Sequence, residues 1–327
     1  LWLVAPVLII LLIVIAMVIS RRSEEPGGVS DLSPTLGAVP LTSSPGEEAF
    51  PAISPDGERV AFGWAGPADD NLDVYVKQHG SEAPLRLTDD PGVDTYARWS
   101  ADGGELAYLH ADAEGQAIYS MPLTGGEPRL LIRTGGWFAG HGWSPDGRTL
   151  VYAEGVEPTA PAQLFVLDLE SREARALLPA PPAGQGDVGP VYSPDGGSIA
   201  FSRIDAAGLD EIHVLAVGSG EVRQITRGAL HTKGMDWSRD GRSLIYSAVS
   251  SSNYSLWRVD VGDGSVTGLP TRGEWVHFPT VARDADRLVY QDIRFDKNIW
   301  QIQRSGNPDV GLTTGPLITS PRWESQG

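Results

Sequence analysis

A four-residue phrase recurs along this chain at a nearly fixed step. It reads Ser54-Pro55-Asp56-Gly57, Ser100-Ala101-Asp102-Gly103, Ser144-Pro145-Asp146-Gly147, Ser193-Pro194-Asp195-Gly196 and Ser238-Arg239-Asp240-Gly241, with a degraded copy at Ala282-Arg283-Asp284-Ala285. Successive Asp residues are 46, 44, 49, 45 and 44 positions apart. Such a period marks an array of small units, each unable to bury its faces except by stacking on its neighbours.

Three further columns keep the step. An apolar run ends in an aromatic six residues after each motif Asp, at Phe62, Tyr108, Tyr152, Phe201, Tyr246 and Tyr290. A second run centres on Tyr75, Tyr119, Phe165, His213, Trp257 and Trp300, and a third carries Leu87, Leu131, Leu177, Ile225, Leu269 and Leu312, with Thr following in several copies. Each repeat therefore holds four short segments, β-branched and aromatic, bounded by turn residues, which predicts four strands. No window within the repeats sustains a helical period.

The turn residues agree. Pro presets φ for the second turn position, Asp tolerates the third, and Gly supplies positive φ before the next strand. Gly125-Gly126, Gly218-Ser219-Gly220 and Gly262-Asp263-Gly264 predict tight hairpins between the third and fourth strands. None of these glycines opens a helix, so a phosphate cradle is excluded. Four antiparallel strands per repeat, set around an axis, predict an all-β fold: a β-propeller of four-stranded blades, six of them full, plus the start of a seventh.

Composition fits. The 39 Gly and 25 Pro are largely turn chemistry repeated, while 41% hydrophobic residues suffice for a core. With no Cys, disulfide scaffolds, thiolate metal sites and a Cys nucleophile are all ruled out. A net charge of −17 argues against nucleic acid as a partner of this chain, because phosphate neutralisation needs a basic surface.

Ala97-Arg98-Trp99-Ser100 before Asp-Gly, Asp73-Val74-Tyr75-Val76 and Leu85-Arg86-Leu87-Thr88 resemble the WD-repeat-like propeller repeats of the TolB type, over residues 39–327. Pro is absent at Ala101 and Arg239, and Ala285 replaces Gly in the sixth copy. The order of Val39-Pro40-Leu41-Thr42, Phe50-Pro51-Ala52-Ile53 and Asp70-Asn71-Leu72-Asp73 after an apolar segment resembles bacterial winged-helix regulators of the CadC type. In those a membrane helix precedes an extracytoplasmic propeller, and similar propellers follow bacterial serine/threonine kinase domains.

Leu1 to Ile19 carry no charge, and about 20 helical residues cross a bilayer core. Residues 1–20 are therefore expected to form a transmembrane helix, the alternative being a cleaved signal peptide, whose apolar region is usually only about 7–15 residues, and 21–38, rich in Ser, Pro, Gly and Glu, a linker. Arg21 and Arg22 taken alone favour a cytoplasmic flank. The resemblance instead implies an inner-membrane protein with a periplasmic propeller. At the other end, Ser320-Pro321-Arg322-Trp323 aligns with Tyr96-Ala97-Arg98-Trp99, so a blade is expected to open there and be cut short. Val39 to Thr42 aligns with the last strand of a blade.

No His-Glu-x-x-His or Gly-x-Ser-x-Gly phrase is present. The motif Asp residues sit in equivalent hairpins on different blades, too far apart for an acid/base pair. No enzyme, catalytic residue, metal or cofactor is expected. Asp69-Asp70-Asn71 with Asp73, and Asp89-Asp90, lack the ordered spacing of a calcium loop and read as solvated charge. The connections between blades carry Trp137, Phe138, His141, His231, Trp275 and His277, which are expected either to pack between blades or to ring the channel mouth as a binding site. The partner there is a protein or a small-molecule ligand. The expected function is a membrane-anchored sensor or protein-interaction module of a signalling or transcription-regulatory protein. The alternative is a stand-alone periplasmic TolB-like propeller serving envelope assembly or transport.

Overall fold

The computed structural model describes residues 38–42, 45–66, 71–157, 159–228, 231–250 and 253–293, and the backbone of two further strands within 299–303 and 313–318. The first blade comprises β1 (Glu48–Ile53), β2 (Arg59–Trp64), β3 (Asp73–Gln78) and β4 (Leu85–Arg86); the second β5 (Val93–Trp99), β6 (Glu105–Asp112), β7 (Gly115–Pro122) and β8 (Arg129–Thr134). The third comprises β9 (Trp137–Trp143), β10 (Thr149–Gly155), β11 (Gln163–Asp168) and β12 (Ala174–Ala176); the fourth β13 (Gly186–Tyr192), β14 (Ser198–Ile204), β15 (Asp210–Ala216) and β16 (Val222–Gln224). The fifth comprises β17 (Thr232–Trp237), β18 (Ser243–Ser250), β19 (Asn253–Asp260) and β20 (Val266–Gly268). Each is an antiparallel meander in chain order.

The blade count differs from expectation. Among the described residues five complete blades are present, not six with the opening of a seventh. In the sixth repeat β21 (Val276–Val281) pairs with β22 (Leu288–Asp292), and β23 (Ile299–Gln303) with β24 (Thr313–Ile318), as separate two-stranded sheets. β21 packs between the fifth and first blades: the Val281 N–H donates to Asp236 Oδ2 at 2.9 Å and the Ile53 N–H to Thr280 Oγ1 at 3.1 Å. The Asp284 N–H reaches the Pro55 carbonyl at 2.9 Å. The ring therefore closes with six inner strands, and no seventh blade fits between β21 and β1. Ser320 to Gly327, read as that blade's start, lie outside the described residues, as do residues 1–37. Val39 to Thr42 form no strand; Val39 is exposed, and Leu41 packs on the core between β1 and Ala282. Among the described residues there is no helix, hence none long and apolar enough to cross a membrane.

The recurring turn works as a small hydrogen-bonded cassette. In all five full copies the Gly N–H closes a turn onto the Ser carbonyl, and the Ser hydroxyl accepts the N–H five residues on while donating to the motif Asp. That Asp also accepts a backbone N–H two residues on, and these bonds hold Asp56, Asp102, Asp146, Asp195 and Asp240 below the usual carboxylate range.

Two of the aromatic columns are cross-strand partners. Phe62 opposes Tyr75, Tyr108 opposes Tyr119, Tyr152 opposes Phe165 and Phe201 opposes His213, with ring centroids 6.3, 6.0, 5.4 and 5.6 Å apart. Both faces of each blade are covered, so second strands run continuously apolar: Leu150, Val151, Tyr152 and Ala153 are all essentially inaccessible. The hydrophobic clusters lie between neighbouring blades, including one that joins Ile53, Val60 and Phe62 to Ala282 across the closing seam. Trp99, Trp143 and Trp237 stitch the seams, donating Nε1–H to the carbonyls of Ala52, Arg98 and Val191 on the preceding blade at 2.8, 3.1 and 3.1 Å. The Thr after the Leu or Ile that follows the fourth strand pins the third strand, since Thr88 and Thr226 accept the Val74 and Ile212 N–H at 2.9 Å.

Candidate functional site: the axial channel

All six inner strands are bulged at one level. The residue six before each motif Asp, at 50, 96, 140, 189, 234 and 278, has positive φ, and a register shift accompanies it in every case. Glycine meets that need in β9, β13 and β17. In the three adjacent strands β21, β1 and β5 the residues are Phe278, Phe50 and Tyr96, with φ of 49°, 54° and 52°. A bulky L-residue there costs about 1–2 kcal/mol.

The rings offset that cost by packing on one another. Phe50 and Tyr96 stack at 3.8 Å between centroids, Phe50 meets Phe278 edge-on at 4.8 Å, and Tyr96 faces Phe278 at 6.0 Å. Each such pair contributes about 0.5–1.5 kcal/mol. On the opposite side of the axis the strands approach by their backbones: a Cβ on Gly140 would stand 3.1 Å from Gly189 Cα, and one on Gly234 2.9 Å from Phe278 Cα. Half of this level is thus an aromatic wall and half bare glycine backbone. All three aromatics keep part of their surface accessible.

Two residues toward the motif turns lies a second layer: Ala52, Arg98, Gly142, Val191, Asp236 and Thr280. It lines a cavity of about 90 Å³. Arg98 and Asp236 come from the second and fifth blades, opposite each other. Burial lowers the Arg98 pKa and raises that of Asp236, each partly countered by the other's charge. Asp236 accepts the Trp237 and Val281 N–H groups, while Arg98 donates to the Ala97 carbonyl at 3.2 Å.

The residues singled out from sequence are not gathered into one site. Trp137, Phe138 and His141 belong to β9 itself, not to a connection before it. Phe138 is buried edge-on to Tyr152 at 5.7 Å, and Trp137 donates to the Ala160 carbonyl at 3.3 Å. His141 is buried with Nε2 3.1 Å from the Ala107 carbonyl, and burial lowers its pKa to about 4. Trp275 and His277 pack with Tyr254 of β19, their rings 5.5 and 4.5 Å from it. Burial and then Lys233 lower His277 to about 4. His231 is exposed just ahead of β17.

A second polar cluster was missed. Asp94 on β5 and His110 on β6 are cross-strand partners, with His110 Nδ1 2.8 Å from Asp94 Oδ1 and Nε2 3.1 Å from Asp112 Oδ2. Burial raises Asp94 to about 6, with the His110 and Thr88 contacts pulling the other way. Burial lowers His110, but its bonds to Asp94 and Asp112 outweigh this and raise it.

The repeat has counterparts among known proteins. A family model described as the TolB beta propeller domain matches residues 32–180 and 143–327. The chain belongs to the TolB β-propeller family. An uncharacterised protein of Agrobacterium fabrum is 27% identical over 221 residues, covering 65% of this chain and 70% of that protein. The Tol-Pal system protein TolB of Francisella tularensis is 24% identical over 249 residues, 73% of this chain and 55% of that one. An uncharacterised peptidase, YuxL of Bacillus subtilis, is 27% identical over 217 residues, covering 60% of this chain and 29% of the peptidase. This chain thus matches about half of TolB and under a third of the peptidase. Among solved structures, TolB from Acinetobacter baumannii superposes with a TM-score of 0.64 at 17% identity, over 73% of this chain and 58% of that one, a likeness of fold.

Proposed function

We propose that this TolB-family propeller is a binding module, without catalysis of its own, whose ligand-contacting element is the axial wall of Phe50, Tyr96 and Phe278. The observation that carries this reading is the backbone: three bulky residues hold a conformation that glycine supplies in the other three inner strands. Retained strain of this kind marks positions where the side chain itself is needed. Aromatic rings with accessible faces suit an apolar or aromatic side chain of a peptide partner. A stand-alone envelope role, with the propeller in the periplasm, is supported by the relative named for the Tol-Pal system.

The anchored-sensor reading draws its support from the uncharged stretch Leu1 to Ile19. Both readings use the same binding surface, so one experiment tests it. Random displayed peptides are selected on the full chain in mild detergent, then measured against a Phe50→Ala/Phe278→Ala variant whose circular dichroism matches the parent. Selected peptides rich in aromatics that lose tenfold or more in affinity for the variant support the axial site. Equal binding to both proteins overturns it.

A further inference from the structure

We infer that Asp94, His110 and Asp90 form a binding site for a first-row divalent transition ion such as Zn²⁺, at the end of the second blade where β4 leads into β5. This site is separate from the axial wall and does not depend on it.

Two of the donor separations, from His110 to each carboxylate, already suit coordination. Ligands sharing an ion at about 2.1 Å lie about 3.0 Å apart at an octahedral edge and about 3.4 Å apart in a tetrahedron. His110 Nδ1 is 2.8 Å from Asp94 Oδ1 and 3.5 Å from Asp90 Oδ1, and one ligand atom from each of the three residues lies within 4.8 Å of the others. The other ring nitrogen is also arranged as a metal-bound histidine requires. Nε2 meets Asp112 Oδ2 at 3.1 Å, and Asp112 is itself fixed by the Glu114 N–H at 2.8 Å and by Arg133 at 3.5 Å. A carboxylate behind the ring orients the imidazole and raises its basicity toward an ion.

One buried carboxylate oxygen lacks a well-formed partner, the Thr88 hydroxyl near Asp94 donating instead to Asp73 Oδ1 at 3.3 Å. Asp94 is fully buried, and its Oδ2 has no hydrogen-bond partner of acceptable geometry among the described residues. The fourth blade shows the purely structural solution to the same problem. Asp187 and Arg203 occupy the equivalent cross-strand positions and close a two-pronged ion pair, Nε to Oδ1 at 2.6 Å and Nη2 to Oδ2 at 2.8 Å. Histidine at position 110 cannot supply that second donor to Asp94, because Nε2 is engaged by Asp112. A divalent ion would satisfy the buried carboxylate and accept the imidazole at once.

The surroundings leave room. A cleft of about 670 Å³ opens on Asp90, His110 and Asp112 beside Tyr108 and Tyr119. Asp90 is preset by accepting the Gly92 N–H at 2.8 Å, while its side chain remains 44% exposed and able to close on an ion. Gly92 lies so close to the imidazole that an added Cβ would collide with it. One imidazole with two carboxylates favours a transition ion over Ca²⁺, which takes oxygen ligands.

The test is calorimetric titration of the full chain, in mild detergent and chelator-cleared, phosphate-free buffer, with Zn²⁺ and separately with Ca²⁺. One Zn²⁺ per chain is expected, weakened at least tenfold in Asp94→Asn and in His110→Gln and tenfold to a hundredfold in Asp112→Asn, with little response to Ca²⁺. Cobalt substitution gives a second readout: visible d–d absorption in the parent that His110→Gln abolishes, decisive even if Asp94→Asn misfolds. Failure to bind Zn²⁺, equal affinity in a folded His110→Gln variant, or a preference for Ca²⁺ overturns the assignment.

Discussion

The backbone N–H of Ile53 donates to the Thr280 hydroxyl at 3.1 Å, although 227 residues separate the two in the chain. Both residues are buried, so this bond is made away from water and its loss leaves an N–H that nothing else satisfies. An unpaired buried donor costs about 1–3 kcal/mol. Thr280→Val, which keeps the shape and removes the acceptor, is expected to lower stability by that amount. It should also raise hydrogen exchange at Ile53 ahead of the amides within the second to fourth blades. Unchanged protection at Ile53 would show that the seam is held elsewhere.

Phe50 tests whether the axial conformation is strained. Alanine normally outperforms glycine in a strand, but at φ of 54° the order should reverse. Phe50→Gly is expected to be about 1 kcal/mol more stable than Phe50→Ala in denaturant titrations. The usual order, with alanine ahead, would show an unstrained backbone at this position.

Two glycines with positive φ separate conformational from steric cost. Around Gly147 a new Cβ meets nothing, whereas at Gly234 it meets the Phe278 backbone at 2.9 Å. Gly147→Ala should cost about 1 kcal/mol. Gly234→Ala should cost at least twice as much by thermal or chemical unfolding, and equal losses would contradict the close approach of β17 and β21.

His141 gives a pH dependence whose sign is fixed. Its folded pKa of about 4 lies below the ordinary 6.5, so the unfolded chain takes up a proton that the native state refuses. Stability from this residue is fully present above pH 6.5 and drains away as the pH falls toward 4. The motif aspartates act in a separate window: their depressed values give stability that is lost only at lower pH, as each carboxylate protonates. Relative to His141→Gln, the parent should therefore lose about 1.4 kcal/mol per pH unit within the upper window. A pH-independent difference between the two proteins would place a charged or solvated imidazole at 141.

Much of the architecture was readable because it depends on local chemistry. The Ser-x-Asp-Gly phrase needs only its own hydroxyl, carboxylate and backbone to make the turn, and the Phe62 and Tyr75 columns are neighbours on one hairpin. Blade number was not readable in this way. Aligning Trp323 with Trp99 suggests another blade, but closure depends on where β21 meets β1 in space. The inter-blade aromatics left two readings open because composition alone does not set depth: Trp137 and His141 have the residue types of a ligand site, and β9 begins at Trp137 and takes them into the blade packing. The axial wall was visible in principle, since the position six before each motif Asp reads Phe, Tyr, Gly, Gly, Gly, Phe. Asp94 and His110 fall eight residues either side of Asp102, a symmetry that becomes legible once the hairpin register is known.

The seam also sets a timetable for biosynthesis. The side of the first blade that bears Ile53, Val60 and Phe62 has its covering partner Ala282 more than two hundred residues later. At ribosomal rates of about 5–20 residues per second, that face waits roughly 10–45 s for its cover. During that interval the nascent chain presents a sticky, strand-forming surface, and in a cell that is the stage at which a chaperone has something to hold.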